Sequence, residues 1–322
     1  MPPRHSTGPL SAIIAIYIGH KRAAGNEYLS EEQQFRRLDA LADQVGCPAD
    51  TLSKKVVLAW TEKRPHEKSL TQTKRINAVK RFALFMRERG YEAYVYPYPP
   101  ERAAEPYLPH IFTESEMGLL LGLSDQYLPT ALSPHLGLTV PLVFRLLYGC
   151  GLRTSEVLNL RTCDVDTDAG VLSITGAKFG KSRLVPMVAS LTSRCAEYVR
   201  LTERAAGDDE YLLRSHQSGG RYSNQAIYHW FRNLLSRAGI PHLGKGGGPR
   251  VHDIRHSFAV HRLKMWAREG KDMRAMLPIL STYMGHCDLR GTQIYLRLTP
   301  DLFSDIAETM GSFFVNDGKG AV

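Results

Sequence analysis

The sequence predicts a mainly α-helical protein of two domains, with a small antiparallel β-sheet or hairpin in the C-terminal one. Three observations carry that prediction. Apolar residues recur at helical spacing through most of the chain. The pattern is interrupted by Pro97, Pro99, Pro100, Pro106 and Pro109, whose rings fix φ and remove backbone donors. Two short β-branched runs, 170–175 and 182–187, flank a turn rich in Gly and Lys.

Helices near 10–24, 30–45, 50–60 and 72–89 fill an N-terminal domain over 1–95. In the last of these Ile76, Val79, Phe82, Phe85 and Met86 recur at helical spacing, while Lys74, Arg75, Lys80, Arg81, Arg87 and Arg89 take other positions. One face packs and another is cationic. Residues 96–112 read as an extended linker. Beyond it, Thr113 and Glu116 form a capping-box pattern ahead of Met117, Leu119, Leu120 and Leu121, which opens a C-terminal domain over 113–322. Its helices are expected near 114–122, 137–149, 154–160, 190–205, 224–238, 253–267, 273–284 and 300–310. The hairpin has a cationic tip at 176–181, and Gly244 to Gly248 form a loop.

With 322 residues, 43% apolar and 23% charged, the chain has the material for real cores, so wholesale disorder is excluded. The apolar run from Leu10 to Ile18 is half the length of a membrane span, and Gly19, His20, Lys21 and Arg22 stand where a signal peptide would be cleaved. Cys47, Cys150, Cys163, Cys195 and Cys287 are scattered and fit neither a disulfide framework nor a zinc site. The expectation is a soluble protein of a reducing cytoplasm. The net charge is +9, and residues 51–90 hold eleven Lys/Arg against three Glu, a local +8. Basicity gathered into one patch points to a nucleic acid partner.

Four segments carry candidate chemistry: Gly149-Cys150-Gly151-Leu152-Arg153-Thr154-Ser155-Glu156, the hairpin with Lys178, His252-Asp253-Ile254-Arg255-His256, and Gly285-His286 followed by Tyr295. Singly, each has a structural explanation as a helix cap, a turn lysine, a core histidine or a core tyrosine. Together, two arginines, two histidines, a lysine and a tyrosine are the inventory for transferring a phosphodiester to a protein hydroxyl without metal. Guanidinium forks neutralise a phosphorane-like transition state. A phenol becomes a nucleophile in a cationic setting or beside a base, and a lysine can protonate the leaving oxygen.

These motifs resemble the tyrosine recombinases, the phage integrase or λ-integrase-like family. Leu147 to Glu156 is similar to the family's first-arginine motif, His252 to Ala259 to its His-x-x-Arg box, Met284-Gly285-His286 to its Leu-Gly-His motif, and Gly176 to Pro186 to its Gly-Lys-Gly-x-Lys-x-Arg-x-Val-Pro hairpin. The resemblance implies that Arg153 and Arg255 bind phosphate, that His252 and His286 assist, that Glu156 supports the site and that Tyr295 is the nucleophile. Lys178 is assigned as the general acid, with Lys181 the alternative because Ala177 is inserted in the turn. The spacing from Arg255 to His286 exceeds the compact family pattern by about two helical turns, with Lys264 to Met276 absorbing the length. It also implies a two-domain DNA clamp with an integrase-like catalytic domain, in which Lys74, Arg75, Lys80 and Arg81 of the N-terminal core-binding domain grip DNA.

The function so implied is site-specific recombination, as the integrase or transposase of a mobile element, through a 3′-phosphotyrosyl intermediate without metal, ATP or other cofactor. Implied partners are double-stranded DNA at specific recombination sites, a homo-tetramer on synapsed DNA formed from free monomers or dimers, and accessory proteins, with no membrane. The location implied is the nucleoid of a bacterial cytoplasm. Thr299 and Pro300 open a helix bearing Leu302, Phe303 and Ile306, with Phe313 and Phe314 beyond. It packs on its own domain or, as the resemblance implies, on a neighbouring protomer. A type IB topoisomerase-like relaxing enzyme and a DNA-binding regulator on a recombinase scaffold are the alternatives. No His-Glu-x-x-His and no P-loop occurs. Asp164, Asp166 and Asp168 mimic a calcium loop, but Ala169 and Thr175 stand where its glycine and glutamate belong.

Overall fold

The structure is a computed structural model that describes residues 8–25, 28–98, 108–175, 182–203, 209–242, 247–285 and 295. The chain divides into two compact units, Met1–Tyr107 and Leu108–Val322. The sequence's proline-rich stretch at 96–112 contains that division.

Four helices build the first unit: α1 (Ser11–Ala23), α2 (Leu29–Gln44), α3 (Lys54–Thr61) and α4 (Ser69–Glu88). Ser53 caps α3 by accepting a hydrogen bond from the Val56 N–H. Tyr17 lies at the centre of the core, its ring edge-on to Phe35, Phe82 and Phe85 at centroid distances of 5.4, 5.2 and 4.8 Å. Such edge-to-face contacts stabilise beyond the area they bury. The segment after α4 returns to the core, where Leu52 bridges Ala93.

The cationic face of α4 needs one correction. Lys74 and Arg81 are exposed and Lys80 is half-buried, but Arg75 is only 3% exposed. Its guanidinium meets the Glu67 carboxylate at 2.6 and 3.1 Å and donates to the Glu62 carbonyl at 2.9 Å. Position 75 lies four residues before Val79 and seven before Phe82, on the buried stripe itself. Arg75 therefore belongs to the interior of this unit and is not one of the exposed cations of α4.

The second unit begins with α5 (Glu114–Ser124), opened by the expected capping box between Thr113 and Glu116. It continues through α6 (Leu136–Gly149), α7 (Thr154–Asn159), strands β1 (Val165–Asp166), β2 (Val171–Ile174) and β3 (Arg183–Pro186), then α8 (Ala189–Leu201), α9 (Asn224–Arg237), α10 (Val251–Arg268) and α11 (Met273–Met284). β2 and β3 form the expected antiparallel pair, with Val171 opposite Pro186 and Ile174 opposite Arg183. The sheet has a third strand, β1, that the sequence did not reveal. Two residues are too few to show an alternation. Asp166 instead accepts from the backbone N–H groups of Asp168 and Ala169 at 3.0 and 2.8 Å, so it shapes the β1–β2 turn rather than a calcium loop.

The core gathers α5, α6, α7, α8, α9, the sheet and the start of α10 around Phe144, Leu146, Leu172, Val185 and Phe231. The span Lys264 to Met276 comprises the end of α10, a short turn and the start of α11. The helix expected at 300–310 and the loop at 244–246 lie outside the described residues. Among the described residues the four cysteines carry free thiols, and no helix is long and apolar enough to cross a membrane.

Removing Arg75 strands the Glu67 carboxylate, whose side chain is 7% exposed. Breaking such a pair from one side costs about 3–5 kcal/mol. Arg75→Ala should therefore lower the urea-unfolding stability of this unit by about that amount, while Lys74→Ala stays within about 0.5 kcal/mol. Equal effects from the two would contradict the assignment.

Candidate active site

Two glycines bring the backbone of this unit against three arginines. After α6 the chain turns through Gly151, which holds φ +57°, and a Cβ there would lie 2.4 Å from the Phe258 ring of α10. Glycine meets both demands, the left-handed turn and the close approach. The approach places the Gly151 carbonyl under Arg255, whose Nη1 donates to it at 2.5 Å. At the end of α11, Gly285 holds φ +65°, and a Cβ there would lie 2.7 Å from Arg183 Nη1. Met284 O accepts from Arg255 Nη2 at 2.5 Å and Gly285 O from Arg153 Nη2 at 2.9 Å.

Glu156, in the first turn of α7, ties these cations together. Its carboxylate accepts from the Arg153 N–H at 2.9 Å and from Arg153 Nη1 at 2.7 Å. Arg183 reaches it from β3 with both Nη atoms, at 3.0 and 2.9 Å, and Arg255 Nη1 stands 3.8 Å away. Burial alone would raise the Glu156 pKa. The Arg183 hydrogen bonds, the Arg153 N–H and the charges of both arginines outweigh it and bring the pKa down to about 2. Three guanidiniums around one carboxylate leave an excess of positive charge, the condition for receiving a phosphate.

Arg255 is 2% exposed. Burial and the neighbouring Arg153 charge lower its pKa to about 10, so it remains a cation at neutral pH. Tyr295 is 1% exposed and packs with Phe258, Leu263, Leu280 and Met284. Burial raises its pKa, against a hydrogen bond with Arg255 and the charges of Arg255 and Arg153 that lower it. The phenol is thus held protonated, within reach of the cations that would stabilise its anion.

His252 sits in the first turn of α10, which Asp253 opens by accepting from the Arg250 N–H at 2.8 Å. His252 is an exposed residue, yet partial desolvation of its ring, with His256, Arg255 and Arg250 close by, lowers its pKa and keeps it neutral near pH 7. Its ring meets that of His256 at 4.8 Å, and the His256 ring meets that of Tyr295 at 5.5 Å. Burial also lowers the pKa of His256, and its Nδ1 is enclosed with no hydrogen-bond partner. Among the described residues no group of three His, Cys, Asp or Glu side chains is placed to hold a metal ion.

The structure thus brings together five of the residues singled out in the sequence: Arg153, Glu156, His252, Arg255 and Tyr295. Lys178, the alternative Lys181 and His286 lie outside the described residues. Arg183 and His256 were not singled out. The signal for Arg183 was its place in the hairpin pattern, and that for His256 was its position one turn after His252 on the same helix face.

The Glu156 pKa stands below the ordinary value of 4.5, so this carboxylate adds stability that is fully present above pH 4.5 and disappears as pH falls toward 2. Glu156→Gln should therefore show a shallower loss of urea-unfolding stability over that window, by at most about one proton. A profile parallel to wild type would contradict the network.

Residues 115–301 match the phage integrase family. The putative integrase/recombinase y4rB of Sinorhizobium fredii is 32% identical over 304 residues, covering 91% of this chain and 94% of that protein. Tyrosine recombinase XerA of Thermococcus kodakarensis is 34% identical over 160 residues, 49% of this chain and 50% of that one. Among solved structures, the Tn1549 transposon integrase in complex with transposon right end DNA superposes with a TM-score of 0.59 at 17% identity, covering 88% of this chain and 93% of that one. XerH recombinase bound to its palindromic difH substrate gives 0.58 at 18% identity, covering 79% and 70%. Likeness at these identities speaks to the fold, a mainly helical domain with a small antiparallel sheet. The family match over 115–301 and the relative aligned along nearly its whole length, read with the arginine and tyrosine cluster above, place this chain in the phage integrase family of tyrosine recombinases.

Proposed function

We propose that this recombinase cleaves and rejoins DNA with Tyr295 as nucleophile, forming a 3′-phosphotyrosyl link and releasing a 5′-hydroxyl. The observation that carries this reading is the hydrogen bond of Tyr295 to Arg255, with Arg153 joined to the same group of cations through Glu156. Arg153 and Arg255 hold the non-bridging oxygens of the scissile phosphate. The Tyr295 oxygen attacks phosphorus, the bond to the 5′-oxygen breaks, and Lys178 protonates that oxygen as it leaves. His252, neutral at physiological pH, and His286 bond the phosphate, and His252 retains a lone pair that can take a proton. The phosphotyrosyl bond keeps the energy of the diester it replaces, so religation needs no ATP.

In the first unit, Lys74, Lys80 and Arg81 contact the phosphates of duplex DNA and supply affinity without sequence preference. The reaction belongs to a mobile element acting on the nucleoid of a bacterial cytoplasm. Assembly into a tetramer on synapsed sites is supported by an apolar cleft lined by Pro186, Val188, Trp266, Ile279 and Tyr283, in which Val188 and Ile279 are 57% and 53% exposed. The apolar residues Leu302, Phe303 and Ile306 of a neighbouring copy are its occupant. Family membership favours a recombinase over a relaxing enzyme or a regulator.

Wild-type protein incubated with labelled DNA carrying its element's ends, without added metal, should yield an SDS-resistant adduct that Tyr295→Phe does not form. No adduct from wild type on its true site, or an adduct from Tyr295→Phe, defeats the proposal. Lys74→Ala should weaken binding evenly across sequences and reduce the slope of log K against log salt by about one. An unchanged slope removes Lys74 from the interface.

A further inference from the structure

Arg183 has no part in the chemistry set out above, yet its side chain is closely held beside Glu156. It stands at the first position of β3 and is 9% exposed. Nη1 and Nη2 donate to the two oxygens of Glu156 at 3.0 and 2.9 Å, and Nε donates to the Tyr283 carbonyl at 2.8 Å. The plane of the fork is thereby fixed at three points. Its other neighbour is Gly285, where a Cβ would lie 2.7 Å from Nη1.

Those two contacts, Glu156 and the end of α11, also orient Arg153. Arg153 Nη1 donates to Glu156 Oε1 at 2.7 Å and Nη2 to the Gly285 carbonyl at 2.9 Å. Arg183 therefore bears on both acceptors that aim the Arg153 guanidinium. Arg153 has 28% of its side chain exposed and is the more open of the two phosphate-binding arginines. The other hydrogen bonds to the Glu156 carboxylate come from Arg153 itself, its N–H on Oε2 and its Nη1 on Oε1, so Arg183 is the fork that anchors the carboxylate independently of the arginine it orients. Without that anchor the Glu156 side chain and the Arg153 guanidinium can shift together toward Arg255, 3.8 Å from the carboxylate.

We propose that Arg183 is a positioning residue for the cleavage reaction, fixing Glu156 and the Gly285 carbonyl so that Arg153 presents its guanidinium to the scissile phosphate. The inference rests on the recombinase reading of this site. It requires the planar fork and not merely a positive charge, since an ammonium cannot bridge both carboxylate oxygens in one plane. Arg183 itself touches no substrate atom in this account.

The test uses the full chain and measures the rate of covalent-adduct formation at saturating DNA for wild type, Arg183→Gln, Arg183→Lys, Glu156→Gln and the Arg183→Gln/Glu156→Gln double variant. Misplacing a reacting group by about 1 Å costs about 100-fold, and both Arg183 variants should slow by that order while binding DNA with near wild-type affinity. The double variant should be no slower than the slower single one, because both act through one unit. A second substrate carries a methylphosphonate at the scissile position, which removes one non-bridging charge. On it the deficit of the Arg183 variants should shrink to less than about tenfold.

A purely structural role predicts the same deficit on both substrates, and that result overturns the proposal. So does a wild-type rate for Arg183→Lys, or losses that multiply in the double variant. If Arg183→Gln does not fold, Arg183→Lys, which keeps the charge, decides the matter with both substrates. Absence of adduct from wild type would defeat the recombinase reading of the site, whereas wild-type adduct with unaffected Arg183 variants would defeat this inference alone.

Discussion

One buried carboxylate organises the catalytic unit. Glu156 is 8% exposed and lies among Arg153, Arg183 and Arg255. Three guanidiniums brought this close would repel each other and would each be costly to desolvate. A single anion in their midst makes the grouping tolerable without cancelling it. The remaining positive charge suits the site to a phosphodiester. The turns at Gly151 and Gly285 follow from the same constraint, because each brings a carbonyl to satisfy donors that the lone carboxylate cannot.

The arrangement holds the Tyr295 phenol in check. Tyr295 is enclosed and protonated, with its hydrogen bond to Arg255 already made, so ionisation of the phenol is coupled to the charges of Arg255 and Arg153. Ordering donors before the reaction is how such sites lower a barrier, since little reorganisation is left for the transition state. The first unit contributes differently. Its α4 carries exposed cations at Lys74 and Arg81, a kind of charge suited to long-range attraction of a polyanion, and packs against the aromatic core around Tyr17.

Much of this was legible in the sequence, for identifiable reasons. Helices with strong caps, such as α5 with Thr113 and Glu116, fell where expected. The second-unit hairpin was visible from two β-branched runs. Arg153, Glu156, His252, Arg255 and Tyr295 were readable because each sits in a local motif, although only the fold brings α7, α10 and the chain after α11 to one place. Arg75 is the exception, because its charge type suggests solvent while its position lies on the buried stripe. Its register with Val79 and Phe82 was already in the sequence, but a buried arginine becomes plausible only once Glu67 is seen to reach it. Arg183 was overlooked because its significance is relational. An arginine at the start of a strand looks ordinary until the strand is folded against Glu156 and Tyr283. β1 owes its existence to pairing with β2 and had no pattern of its own.

The central claim is that the phosphate held by this group of cations is attacked by Tyr295. Its most direct test is to trap the covalent adduct on cognate DNA, digest protein and nucleic acid, and map the linkage by tandem mass spectrometry. The account predicts a nucleotide joined through its 3′-phosphate to the peptide containing Tyr295. A 5′-phosphate linkage, or attachment to any other residue, would contradict it.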